Sequence, residues 1–338
     1  MSSHPECGSF SEARNLRFKT VRRPAVHFLQ KHPISTEVMP AGEMQTVPRV
    51  SVIVTTFNSA ATIKRTVESI QAQTMDDFEI VIVDDASTDD TVRVVESILE
   101  PRLRLVQNSH NRGIGGAKNV GVENARGQYI AFLDSDDTWE QTKLALQLAA
   151  LSAVQDISPL SFTAFWVHRA GSGKTVRRQP RRYGTWLQSI LIGETLSLGS
   201  TLLATRRCFE TVGGFNEGLR RLQDRDWTLR YFRYWDDFEY IDTPLSHIFN
   251  VGFPKPELVR ASVDNLFALH EDGLRQRDPV MARTFRSSLD FEVAVAKYRS
   301  GDFAGASRTL LQAWTTSPGS GWYFVRRAVR KVMQGDLN

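Results

Sequence analysis

Gln128-Tyr129-Ile130-Ala131-Phe132-Leu133-Asp134-Ser135-Asp136-Asp137 decides how the rest of the chain is read. Mostly apolar residues make a buried strand, and three carboxylates stand where that strand must end. Carboxylates this crowded repel one another and raise each other's pKa unless a cation lies between them. A hard divalent ion such as Mg²⁺ or Mn²⁺ takes oxygen ligands and keeps positions open for substrate phosphates. The alternative is an acidic loop capping the following helix, since Asp beside Thr138 suits a helix N-terminus. Taken alone, the stretch weighs evenly between the two.

Upstream the same pattern recurs. Residues 50–54 are a strand ending in Thr55-Thr56-Phe57-Asn58, and residues 60–73 have a helical period with Ile63, Val67 and Ile70 on one face. A strand over 79–83 ends in Asp84-Asp85 and leads to a helix over 88–99. Residues 103–107 are a third strand and 115–124 a short helix; a helix over 140–154 follows the acidic stretch. Strand and helix alternate through short loops, which predicts an α/β fold with a doubly wound, mostly parallel sheet. Ligands bind such sheets beyond the carboxyl ends of the strands. Thr55 to Asn58, Asp84-Asp85, Asn111 to Lys118 and Asp134 to Asp137 all fall on that rim, and capping alone does not explain separate acidic clusters meeting there.

Downstream, residues 160–168 read as a strand before a basic stretch of Arg169, Lys174, Arg177, Arg178, Arg181 and Arg182. That stretch is either a solvated hairpin face or a surface turned to an anionic acceptor or a membrane. A strand over 200–204 and a helix over 206–212 stopped by Gly213-Gly214 come next. Residues 224–234 are helical in period, with Trp227, Leu229 and Tyr231 for packing. Residues 239–248 return as a strand whose Pro244 marks it as an edge. After Pro254-Lys255-Pro256 only helices are expected, over 257–275, 278–299, 303–315 and 321–334. Residues 1–48 hold no sustained period and read as a loosely ordered arm, with a short helix near 25–31.

With 338 residues, 41% apolar and 24% charged, the chain is an ordinary globular one, and a net charge of +4 argues against a wholesale nucleic-acid binder. Cys7 and Cys208 offer neither a disulfide framework nor metal-ligand spacing, which fits a reducing cytosol. No apolar run reaches the length of a bilayer span, and the first residues lack a signal-peptide core. The expectation is a cytoplasmic protein, soluble or peripherally attached.

Val50 to Asn58, Phe78 to Asp89 and Tyr129 to Asp137 together closely resemble family 2 glycosyltransferases of the GT-A fold. So do Gln71-Ala72-Gln73-Thr74, Gly213-Gly214-Phe215-Asn216-Glu217 and Gln223 to Arg230. The resemblance covers about residues 49–250: a nucleotide-sugar-binding half over 49–155 and an acceptor half over 156–250, with a helical region over 251–338. It implies a nucleotide-sugar donor, most commonly a UDP-sugar, a divalent Mn²⁺ or Mg²⁺, and inverting transfer to a hydroxyl of a glycan or lipid-linked acceptor. By the same resemblance Asp85 matches the carboxylate that reads the donor's base, flanked by Thr55 and Phe57. Asp134 and Asp136 form the DxD element, with Asp136 the leading metal ligand and Asp137 beside it. Lys118 stands where an Arg commonly meets the donor phosphates. His247 falls where some relatives place a further metal ligand, or serves structurally. Asp224 matches the catalytic base, which in relatives follows a Glu; here Gln223 takes that place. Asp226 offers the same chemistry, but a helix beginning near Asp224 turns the two to different faces.

Two rivals remain. Gly113-Ile114-Gly115-Gly116 invites comparison with a dinucleotide fingerprint, yet Lys118 occupies the third glycine's place and the motif does not follow the first strand. The Gln223 departure allows a sugar-nucleotide-binding relative without catalysis. At the C-terminus, Trp322, Val325, Val329 and Val332 share a helical stripe beside Arg326, Arg327, Arg330 and Lys331. This is either a docked terminal helix or one that holds the protein peripherally on an anionic membrane.

Overall fold

The computed structural model describes residues 47–154, 158–169, 173–194, 196–250 and 254–319. The expected helices near 25–31 and over 321–334, and nearly all of the expected N-terminal arm, lie outside the described residues. In chain order the elements are β1 (Val50–Thr56), α1 (Ile63–Gln71), β2 (Phe78–Asp84), α2 (Thr91–Glu96), β3 (Leu103–Gln107), α3 (Gly113–Asn124), β4 (Tyr129–Asp134), β5 (Thr138–Trp139) and α4 (Lys143–Ala153). They continue with β6 (Leu160–Arg169), β7 (Thr175–Arg178), α5 (Trp186–Leu191), α6 (Leu198–Thr201), β8 (Leu203–Thr205), α7 (Arg206–Val212), α8 (Gln223–Tyr231) and β9 (Glu239–Asn250). Three long helices close the described chain: α9 (Pro256–Arg277), α10 (Pro279–Arg299) and α11 (Phe303–Thr316).

The strands form one mixed sheet in the order β3-β2-β1-β4-β8-β6-β9-β5, with β7 paired to β6. The first four are mutually parallel, as the short βα alternation requires. Their register places Thr55 beside both Val83 and Asp134, and Thr56 beside Asp84, so the polar strand ends share one rim. Residues of β1 alternate between two cores. Val50, Val52 and Val54 pack with Ile63, Val67 and Ile70 of α1 and Leu144 and Leu148 of α4. Ile53 points the other way, into a core with Phe132, Phe209, Phe215 and Trp227. Each such side chain, fully removed from water, contributes about 1.5–3 kcal/mol. On that second face α3 approaches β1 so closely that a Cβ on Gly121 would lie 2.3 Å from the Ile53 side chain.

Two expectations need correction. Residues 200–204 are not a single strand: Ser200 and Thr201 end the helix α6, and only Leu203–Thr205 joins the sheet. Small residues there let the backbone pass close to the rim, which a strand would not. Nor is β9 the last strand of the sheet, since it pairs in parallel with β6 along its length and with β5 at Ser246 and His247, although at Pro244 itself β6 alone lies alongside. The missing N–H is absorbed by register shifts around Ala164, the partner of Pro244.

The C-terminal helices are continuous with this core. Val263 and Leu266 of α9 and Phe285 and Leu289 of α10 share the cluster that holds Phe132 and Trp227. Among the described residues no helix is long and apolar enough to cross a membrane.

Candidate active site

The loop after β4 carries the acidic stretch, and α1 holds it from outside. Thr66 Oγ1 donates to the carbonyls of Ser135 (2.9 Å) and Asp137 (2.8 Å), and Arg65 to that of Asp136 (2.7 Å). Ser59 and Ser135 hydroxyls meet at 2.8 Å. With its backbone so tied, the loop must present its carboxylates inward. Asp137 is buried, accepting from the Ser200 hydroxyl (2.5 Å) and the Phe249 N–H (3.0 Å). Burial and the nearby Asp134 push its carboxyl up to about 8, against the pull of those donors. Burial, then Asp134, also raises Asp136. Asp134 Oδ1 is buried and accepts no hydrogen bond; the Lys118 ammonium lies 3.3 Å away without hydrogen-bond alignment. Lys118 is itself 3% exposed, between the Phe132 and Phe215 rings. Of the three carboxylates, Asp134 has the Lys118 ammonium beside it and Asp136 feels the Arg65 guanidinium, while Asp136 and Asp137 are both raised. That donor set suits a hard divalent ion, which would relieve the repulsion.

Gly199 and Ser200 were not singled out from the sequence, yet they form the floor of this site. A Cβ on Gly199 would stand 2.1 Å from Asp134 Oδ2, so only glycine leaves the carboxylate its place. Ser200 receives the Asp134 N–H (3.2 Å) while its hydroxyl holds Asp137. The run Leu198-Gly199-Ser200-Thr201 offered one signal, small residues in a helix of four.

His247 lies across from Thr138 on β9, and both its ring nitrogens are engaged. Nε2 is 2.8 Å from Glu140 Oε1 and Nδ1 is 2.9 Å from His168 Nε2. Binding a metal would require His247 to give up one of these partners. Among the described residues no three His, Cys, Asp or Glu side chains are grouped as a ready metal cage.

At the β2 end, Asp85 turns its carboxylate to the start of α3. Oδ1 accepts from the Arg112 N–H (2.9 Å) and Asn108 Nδ2 (2.8 Å), and Oδ2 from the Gly113 N–H (2.8 Å). The positive helix N-terminus that a pyrophosphate would use is therefore filled by the chain's own carboxylate, which argues against the dinucleotide reading. Thr55 is buried at the end of β1, and Phe57 just beyond it is 47% exposed, a free ring at the rim. Asn58 and Ala86, flanking this corner, both take positive φ (51° and 63°), a backbone strain that holds the two loops in apposition.

Asp224 lies in the first turn of α8, preceded by Leu222 in the left-handed conformation (φ 64°). Its Oδ1 accepts the Arg225 N–H (2.8 Å), and it forms no ion pair among the described residues. Asp226, by contrast, is buried against Arg230 (2.9 Å) and His270 Nε2 (2.9 Å). Burial alone would raise its carboxyl; the His270 hydrogen bond and the Arg230 charge outweigh that and hold it low. The two acids differ in their surroundings: the Asp224 carboxylate accepts from a backbone N–H, and that of Asp226 is engaged by two side chains. Gln223 brings this turn to α3: its Cγ would be 3.7 Å from a Cβ on Gly115, one turn before Lys118. The start of α3 therefore touches the α8 turn at Gly115 and Asp134 at Lys118.

The basic stretch is partly neutralised, Arg177 pairing with Asp242 (3.0 Å) and Arg182 with Asp237 (2.9 Å). Sequence distance hid these partners, more than fifty residues away.

A family model for glycosyl transferase family 2 matches residues 51–196. Over 99 residues the chain is 44% identical to the Escherichia coli UDP-Glc:alpha-D-GlcNAc-diphosphoundecaprenol beta-1,3-glucosyltransferase WfaP, covering 29% of this chain and 39% of that one. Over 98 residues it is 49% identical to the succinoglycan biosynthesis protein ExoO of Rhizobium meliloti, covering 29% and 28%. The matches thus span well under half of these relatives. In fold it is similar to S. aureus TarS 1–349 in complex with UDP-GlcNAc, at a TM-score of 0.55 and 19% identity over 79% of this chain and 91% of that one. It is likewise similar to the Pyrobaculum calidifontis mannosyltransferase PcManGT in complex with GDP-Man and Mn²⁺, at 0.52 and 21% over 84% and 81%. Residues 51–196 thus match glycosyl transferase family 2, and the fold is that of the GT-A glycosyltransferases.

Proposed function

We propose that the protein is an inverting glycosyltransferase that moves a sugar from a nucleoside diphosphate, in the first instance UDP, to an acceptor hydroxyl. The observation that carries this is the meeting of Asp134, Asp136 and Asp137 with one buried lysine where a parallel strand ends on the shared rim. Asp136 and Asp137, with Asp134 alongside, would hold Mn²⁺ or Mg²⁺, which supplies Lewis-acid stabilisation of the departing diphosphate. Lys118 adds a fixed positive charge on the same side, as a point charge without the fork of Arg. Thr55, Phe57 and the Asp85 corner receive the nucleobase.

Asp224 is the base. As the acceptor oxygen bonds to the anomeric carbon, its proton passes to the Asp224 carboxylate, and the bond from that carbon to the diphosphate oxygen breaks with its electron pair leaving on oxygen. Attack opposite the leaving group inverts the anomeric centre. No ion pair engages Asp224 among the described residues, whereas Asp226 is already committed to Arg230 and His270.

The names of WfaP and ExoO place those proteins in lipid-linked and polysaccharide assembly. We assign this chain an acceptor of the same class, a growing glycan on a lipid carrier, met by peripheral association with the membrane. Calorimetric titration of UDP with and without Mn²⁺ tests the donor site. Binding should need the ion and be lost in Asp136→Ala; unchanged affinity in that variant would sink the assignment.

A further inference from the structure

We propose that helices α9 and α10 position the Asp224 carboxylate, with His270 and Glu292 as positioning residues that act through the first turn of α8. The proposal rests on Asp224 as the base and goes beyond it, giving the reaction a requirement for helices outside the family-matched residues 51–196. The turn from Gln223 to Asp226 has no side-chain cap of its own and starts from a left-handed leucine. Such a start is strained and needs outside support.

That support comes from the two residues after Asp224. Arg225 reaches Glu292 Oε1 of α10 (2.5 Å) and the Ile190 carbonyl of α5 (3.0 Å), with its guanidinium 5.4 Å above the Phe285 ring of α10. Asp226 accepts from His270 Nε2 of α9 at 2.9 Å; a carboxylate only accepts, so that nitrogen carries the hydrogen. His270 and Asp226 are both buried, so water offers neither a substitute partner. Arg230, on the other side of Asp226, donates to the carbonyls of Val212 (2.8 Å) and Gly214 (2.7 Å). The helix is thus pinned by α9 and α10 on one side and by the glycine turn on the other. Among the described residues the carboxylate of Asp224 is held only by the backbone, through the Arg225 N–H. Where its carboxylate points is therefore set by where α8 begins, and a displacement of about 1 Å at a reacting group costs on the order of 10²-fold in rate.

A purely structural clamp would lower stability and leave turnover of the folded enzyme alone. The test is steady-state transfer with the full chain, together with UDP affinity by calorimetry and thermal melts, on His270→Ala, His270→Gln, Glu292→Gln and Asp224→Asn. We expect kcat to fall about tenfold or more in His270→Ala and Glu292→Gln, with UDP affinity within twofold of the parent. His270→Gln, which keeps a donor for Asp226, should recover most of the loss. Wild-type kcat in folded Glu292→Gln and His270→Ala, or kcat and UDP affinity falling together, would overturn the proposal. If His270→Ala does not fold, Glu292→Gln at the partly exposed end of the Arg225 pair carries the decision alone. Should Asp224→Asn keep its turnover, the base itself is misassigned and the proposal falls with it; an inactive Asp224→Asn beside fully active clamp variants rejects the positioning role only.

Discussion

Asp224 and Asp226 stand two residues apart with the same side chain, and their surroundings divide the labour. Asp224→Asn keeps the shape and removes the proton acceptor, so kcat should fall by about 10²-fold or more with UDP affinity little changed. A crippling Asp226→Asn beside a mild Asp224→Asn, measured as kcat in folded protein, would reverse the roles. Gly199 makes a second point at this scale. A methyl there cannot coexist with Asp134 Oδ2 at 2.1 Å, and because that carboxylate is the end of a short side chain it will rotate away rather than unfold the sheet. Gly199→Ala should therefore keep a near-parental Tm while weakening Mn²⁺-dependent UDP binding about tenfold or more. Unaltered UDP affinity would show that the position of Asp134 is not critical.

At the level of the element, α8 is where stability and function meet. Burial of the Asp226 charge is tolerated because His270 and Arg230 outbid it, and the folded carboxyl lies below its ordinary value. The sign of the linkage follows: a lowered carboxyl stabilises the fold above its unfolded pKa, near 3.9, and that contribution disappears as pH falls through the folded value. Asp226→Asn leaves buried partners unpaired and should cost about 3 kcal/mol at neutral pH. The gap to the parent should narrow in urea titrations as pH falls below about 4, where the unfolded carboxyl takes up a proton first and the folded one follows at lower pH. A constant gap down to pH 3 would mean that the carboxylate charge contributes nothing. The element α3 shows the opposite economy, its N-terminus satisfied internally by Asp85 and its Lys118 spent on the rim.

On the scale of the whole molecule, three layers converge on one rim: α1 from outside, the strand ends beneath, and α8 backed by the C-terminal helices. The last of those, α11, keeps Phe303, Leu311 and Trp314 exposed, and Tyr298 at the end of α10 packs edge-on against Phe303 at 5.3 Å. Apolar side chains left in water suit the headgroup level of a bilayer. The basic residues Arg326, Arg327, Arg330 and Lys331, which lie outside the described residues, would each add roughly 1 kcal/mol at an anionic surface. Full-length protein should sediment with vesicles containing anionic lipid, less so as salt rises, and a chain cut after Gly321 should bind more weakly. Equal recovery of both forms in the pellet would reject the role of that segment.

The four parallel strands and their shared rim were legible in the chain because buried strands have a two-residue period and the acids fall at the one place where an apolar run stops. The resemblance of those motifs to family 2 glycosyltransferases then supplied the roles proposed for Asp85, Asp134, Asp136 and Asp224. What the chain did not show depends on residues far apart in sequence. Asp226 and Asp224 were separated only by an argument from helical faces; His270, forty-four residues on, is what commits one of them. Gly199 is an ordinary small residue until β4 brings Asp134 against it. Pro244 obeyed the rule for edges in sequence, and the register shifts opposite it gave the strand another way to do without an N–H. Periodicity and strand-end chemistry are local and survive in the sequence. Which carboxylate is held, which is left available and which glycine has no room for a methyl are set by distant contacts, so only the tertiary structure decided them.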